Sequence, residues 1–155
     1  MKKGMAVLLV LCVLMIGLTG CEEKTVSEEK GTAATGQNTA FDAYLTSVQE
    51  QSAAIKTSLE KDDLTQTEMN LKSEELLALW DAAMNRVLEE AEKVLPEEKM
   101  DVLISAQNAW LPTRDEAAEA AGKEVEGGSM YALVVNCAAA ASTEARVYAL
   151  YEMLK

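Results

Sequence analysis

The chain has 155 residues, enough for one domain with a core of its own, and almost half of them are apolar. Aromatics are only 5% and Ala is abundant, a balance that favours helix over strand. There is no His and the formal net charge is −12, which removes the commonest general base and metal ligand and argues against nucleic acid or adsorption to anionic lipid.

Met1-Lys2-Lys3 is a short basic start, and Met5 to Leu18 is a continuous apolar run. That run is short for a membrane span and typical of a secretory signal. Leu18-Thr19-Gly20-Cys21 closes it and looks like a bacterial lipobox. The resemblance implies a diacylglyceryl group on the Cys21 sulfur, cleavage after Gly20 and acylation of the new amino terminus. Two chains suffice for stable anchoring in a bilayer. An uncleaved signal anchor is the alternative, because Gly4 to Cys21 are all uncharged. Residues 1–20 are thus expected to be a lipoprotein signal peptide, and the anchored product to face away from the cytoplasm on a cell or outer membrane. Its net charge would be −14, with 12 basic and 26 acidic residues.

Residues 21–38 are rich in Glu, Lys, Thr, Gly and Ser, with Val26 the only large apolar residue. Such a segment cannot bury enough surface to fold and reads as a flexible acidic tether. Residues 39–63 read as an accessory helix, with Asn38 or Thr39 as its cap and Asp62-Asp63 as its end. Phe41, Tyr44, Leu45, Val48, Ile55 and Leu59 share one face. This helix could pack on the domain or stand as a stalk.

The domain proper is placed at 64–155. Thr65-Gln-Thr-Glu68 has the pattern of a capping box, with Leu64 and Met69 as a hydrophobic staple. The following helix runs to about Leu95, with Met69, Leu76, Trp80, Met84, Val87, Leu88, Ala91 and Val94 in its stripe. Asp81 and Asn85 lie at the edge of that stripe.

Pro96, followed by Glu97 and Glu98, starts a third helix ending near Gly122. Its face holds Leu103, Ala106, Trp110, Ala117 and Ala121, and Gln107 and Arg114 fall inside the same stripe. Buried polar groups need partners, and Asp81 and Asn85 are the candidates. Pro112 lies on the outer face, where a kink is tolerable; a helix restarting at Pro112 is the alternative. Gly127-Gly128-Ser129 breaks the chain again, with Ser129 as the next cap. The last helix, Met130 to Leu154, is expected to bury Met130, Leu133, Val134, Cys137, Ala141, Ala145 and Tyr148. The fold class is all-α: a small antiparallel bundle of three to four helices behind a lipidated tether.

Gln66-x-x-Met69-Asn70, Asp81-x-x-Met84-Asn85, Leu103-x-x-Ala106-Gln107-x-x-Trp110-x-x-x-Arg114-Asp115, Gly127-Gly128-Ser129 and Thr143-x-x-Arg146-x-x-x-Leu150 occur in that order. Together they resemble the LprI-like lysozyme inhibitor family of bacterial envelope proteins. The resemblance implies cysteines after the Met-Asn and Arg-Asp pairs, but here the chain reads Leu71-Lys72-Ser73 and Glu116-Ala117-Ala118. Of Cys12, Cys21 and Cys137, only Cys137 lies in the domain, so no intrachain disulfide framework is available. Cys137 reads as a small buried hydrophobe.

The resemblance points to an anchored binder and inhibitor of a cationic wall hydrolase such as lysozyme. The net charge of −9 over residues 64–155 (8 basic, 17 acidic) would steer a basic partner towards the domain. The alternative is a structural or assembly lipoprotein that binds another protein or wall component. Glu97 with Asp101, and Glu116 with Glu119, read as solvated charges rather than an acid–base pair, and no phosphate loop, nucleophile motif or metal spacing occurs. No enzyme activity, cofactor, metal or nucleic acid is therefore expected. Asp81, Asn85, Gln107, Trp110, Arg114, Asp115, Gly127 and Gly128 are read as residues that hold the bundle together, and Cys21 as the lipidation site.

Overall fold

Local signals near residues 60–65, 95 and 127 divide the chain into helices. The computed structural model describes residues 34–61 and 63–155. The expected signal peptide, Cys21, the expected tether up to residue 33, and Asp62 lie outside the described residues. Among the described residues there are four α-helices: α1 (Ala34–Leu59), α2 (Gln66–Val94), α3 (Glu97–Gly122) and α4 (Tyr131–Met153). A 3₁₀ turn at Lys123–Val125 follows α3, and no strand occurs among the described residues.

α1 begins at Ala34 and passes through Asn38 and Thr39, so neither residue caps it. The capping box of α2 is present in full. Thr65 Oγ1 accepts the Glu68 N–H at 3.3 Å, and the Glu68 carboxylate accepts the Thr65 N–H at 2.7 Å. α2 stops at Leu95, which is extended (φ −88°, ψ 140°), the conformation a following proline imposes. Pro96 takes the position before α3 without a side-chain cap bond, and Glu97 and Glu98 lie in the first turn, where the helix dipole favours acid.

α3 runs through Pro112 without a restart. The proline is exposed, and the Thr113 hydroxyl donates to the Trp110 carbonyl at 2.6 Å beside the gap in the backbone ladder. Gly127 has φ +77°, a conformation that costs glycine nothing. Ser129 does not cap α4. Met130 occupies that position without a side-chain cap bond, and the Ser129 carbonyl accepts from Asn70 Nδ2 at 3.0 Å.

α2 and α4 form the central pair, with α1 packed on α2 and α3 packed on α4, while α2 and α3 barely touch. Trp80, Val87 and Val147 are fully buried between them. α1 is part of this core rather than a stalk. Phe41, Leu45, Val48 and Ile55 are buried, and the Phe41 ring lies 5.2 Å from that of Tyr151 on α4. Ser52 accepts the Trp80 indole N–H at 3.1 Å, and Lys56 pairs with Glu144 at 2.6 Å. Residues Gly31–Lys155 form one compact unit with a continuous core of its own.

The helices are rotated slightly from the expected wheels. In α3 the buried line is Leu103, Gln107, Ala118 and Gly122, whereas Ala106, Ala117 and Ala121 are exposed. In α4 the buried residues are Ala139, Ala140, Thr143, Val147, Leu150 and Tyr151. Met130, Ala141 and Ala145 are exposed, and Leu133, Val134, Cys137 and Tyr148 are only half-buried. Val94 at the end of α2 is exposed as well. Where alanine occupies every face, apolar contrast sets the rotation poorly. The polar residues that pair between helices set it instead.

Candidate functional site: a polar clasp between three helices

Gln107 and Arg114 sit one above the other on the inner face of α3, as their spacing requires. The Arg114 side chain is only 12% exposed. Its Nη1 meets Asp81 Oδ1 of α2 at 2.8 Å and donates to Thr143 Oγ1 of α4 at 3.3 Å. Its Nε and Nη2 meet Asp115 Oδ1 at 2.9 and 2.8 Å. Thr143 in turn donates to the Ala139 carbonyl at 2.9 Å. One guanidinium therefore ties three helices together, and its charge is matched by two carboxylates.

Gln107, buried in the same line, takes different partners. Its Oε1 accepts from Arg146 Nε of α4 at 2.6 Å, and its Nε2 lies 3.1 Å from the Met84 sulfur of α2. The Trp110 ring lies close to both cations, with the Arg114 and Arg146 guanidinium carbons 5.6 and 5.8 Å from its centre. Stacking of this kind steadies both arginines and the ring.

Of the residues expected here, Asp81, Gln107, Trp110, Arg114 and Asp115 come together. Asn85 does not join them. It is exposed and shares with them only the wall of an open cleft of about 300 Å³ between α2 and α3. Its neighbour Met84, buried where Asn85 is exposed, is the α2 residue that meets Gln107. Thr143 and Arg146 supply the missing contacts. Both belong to the last motif of the sequence pattern, so the signal for them was present.

A second clasp secures the other end of α2. Gln66 Nε2 donates to Asn70 Oδ1 at 2.9 Å, and Asn70 holds the Ser129 carbonyl in the turn that contains Gly127 and Gly128. Ser73, wholly buried, donates to the Asn70 carbonyl at 2.7 Å and accepts from Asn136 Nδ2 at 3.2 Å. A hydrogen-bonded link between α2 and α4 thus stands where the family resemblance implies a cysteine.

Little here invites chemistry. Cys137 is half-buried, and burial pushes its thiol pKa up, against a smaller opposing effect of Lys56. Glu97, Asp101, Glu116 and Glu119 are all exposed on α3. Among the described residues, no three acidic or cysteine side chains are grouped to hold a metal ion. No described helix is long and apolar enough to cross a membrane.

The fold and its clasps define a small all-α domain in which the signature polar residues fasten helices to one another. The family model of the lysozyme inhibitor LprI matches residues 57–150, and the chain belongs to the LprI family. The matched span begins at the end of α1 and takes in α2, α3 and most of α4. Most of α1 lies outside it, although its side chains complete the core. No curated protein and no solved structure matches the chain.

Proposed function

We propose that the protein is a membrane-anchored, extracytoplasmic lipoprotein that binds and inhibits a cationic cell-wall hydrolase such as lysozyme. Membership of the LprI family carries this reading. The distribution of charge supports it. Glu116 and Glu119 towards the end of α3, and Glu124 in the turn after it, are exposed and pair with no cation among the described residues. The last turn of α3 contains no basic residue, so Glu119 faces the negative end of the helix dipole. Acid placed there does not stabilise the helix. It does make an attractive landing surface for a basic partner, and steering of this kind weakens as salt rises.

Anchoring would rest on the acylated Cys21, with residues 1–20 removed as a signal peptide and the bilayer as the first partner. The domain would act by occlusion, with no catalysis and no cofactor.

The test is a titration of residues 22–155 into lysozyme at low and moderate salt, reading wall-lytic activity. Inhibition at low salt that is relieved by added salt supports the proposal. Absence of binding at low salt defeats it and favours a structural envelope lipoprotein with another partner. In the native cell, Cys21→Ser should release the protein from membranes; retention would point to an uncleaved signal anchor.

A further inference from the structure

The chain contains three arginines, and their partners differ. Arg86 pairs with Glu89 and Glu90, and Arg114 with Asp81 and Asp115. Arg146 has no carboxylate partner among the described residues, in a chain with 26 acidic side chains. Its Nε is fixed by the neutral oxygen of Gln107 and its plane lies near Trp110. Arg146 also contributes to the wall of a cleft of about 830 Å³ between the start of α3 and the end of α4.

The other walls of that cleft are mostly apolar: Leu95, Val102, Leu103, Leu150 and Met153. Val102 and Met153 are 70% and 64% exposed, unusually open for their size. An apolar cleft with one positioned polar group is the usual form of a small-molecule site, and this volume lies within the usual range of roughly 300–1,000 Å³.

We propose that this cleft binds a single-chain fatty acid, its alkyl tail along the apolar wall and its carboxylate on Arg146. The occupant follows from charge. Guanidinium matches a carboxylate in a planar, two-bond geometry. The other ionic groups of the cleft, Glu98 and Lys99 of α3, offset one another and leave one uncompensated positive charge. A monoanion satisfies it. A phosphate dianion would meet Glu98 and the field of a chain of net charge −12 with no second cation beyond Lys99 to hold it.

The test uses residues 22–155, which retain the whole compact unit Gly31–Lys155. Octanoate, decanoate, laurate and dodecanol are titrated below their aggregation limits, with heat and tryptophan fluorescence as readouts. Saturable binding of one laurate is expected, with affinity rising roughly three- to fourfold per added methylene. Dodecanol should bind at least about tenfold more weakly than laurate, because it cannot pair with the guanidinium. Arg146→Gln should lower laurate to the level of dodecanol and leave dodecanol unchanged. Should that variant fail to fold, Val102→Glu serves instead, since Val102 is exposed; it should lose laurate while keeping its thermal midpoint. Equal affinity for laurate and dodecanol would overturn the proposal, as would absence of saturation. A dimer that Val102→Glu dissolves would assign the face to a second copy of the chain and overturn it too.

Discussion

Arg114 and Asp81, 33 positions apart in the chain, meet at 2.8 Å across α3 and α2, with the cation 12% exposed and the carboxylate 45% exposed. The pair therefore joins a nearly buried charge to one that keeps much of its hydration. That arrangement avoids most of the desolvation cost of a fully buried ion pair. Arg114→Ala should lower the stability of the domain by about 2 kcal/mol, since charged hydrogen bonds to two helices are lost. Asp81→Asn retains an acceptor and should cost about half as much. Urea denaturation of both variants checks this. If Arg114→Ala left stability unchanged but abolished partner binding, Arg114 would be a contact residue instead of a fastener.

The sequence pattern made half of this clasp legible. Gln107 and Arg114 fall on an apolar helical face, which demands partners, and Asp81 at the edge of the neighbouring stripe is one of them. Asn85 lies on the same helix edge but is exposed, and Met84 beside it meets Gln107 instead. Gln107 finds Arg146 because α4 turns its Thr143 face inwards, a rotation that a helix full of alanine does not announce. The two caps contrast as well. The Thr65–Glu68 box closes within four residues and was readable. The Ser129 pattern placed the second cap one residue early: Met130 holds that position, and the Ser129 carbonyl accepts from Asn70, 59 positions away.

That capping box should leave a signature in pH. The side chain and backbone of Thr65 both donate to Glu68 and hold its carboxyl below the usual carboxylate range. A depressed folded-state pKa contributes stability that is present above the unfolded value, about 4.3, and is lost as pH falls through the folded one. Thr65→Ala should cost about 1 kcal/mol at pH 7. The gap between wild type and variant should narrow as pH is lowered below about 4. Thermal melts of both proteins across pH 2–7 measure it; a gap independent of pH would mean that the Glu68 charge plays no part in the cap.

Gly122 packs against the start of α4. A Cβ built there would lie 2.7 Å from Val135 Cγ2 and 3.0 Å from Tyr131 Cε2, too near for either to remain in place. Alanine is favoured over glycine in a helix by about 1 kcal/mol, but overpacking costs about 1–3 kcal/mol. Gly122→Ala should therefore lower the thermal midpoint despite its better helix propensity. A raised midpoint would show that Val135 and Tyr131 move aside at little cost.

Tyr148 offers the opposite case, a group whose removal should help. Its ring lies 5.8 Å from that of Trp80, but its hydroxyl is buried and finds no hydrogen-bond partner among the described residues. Burial raises its pKa, Glu144 adds to the effect and Lys56 opposes it. Tyr148→Phe keeps the ring contact and removes the orphaned oxygen, so stability at pH 7 should be unchanged or higher by up to about 1 kcal/mol. The raised pKa has a second consequence. Above about pH 10 the unfolded chain ionises this tyrosine more readily than the folded one, so stability is lost as pH rises. The phenylalanine variant should lack that alkaline loss. Urea midpoints of the two proteins at pH 7 and pH 10.5 test both statements; a clear fall in Tyr148→Phe at pH 7 would mean that the hydroxyl is bonded after all.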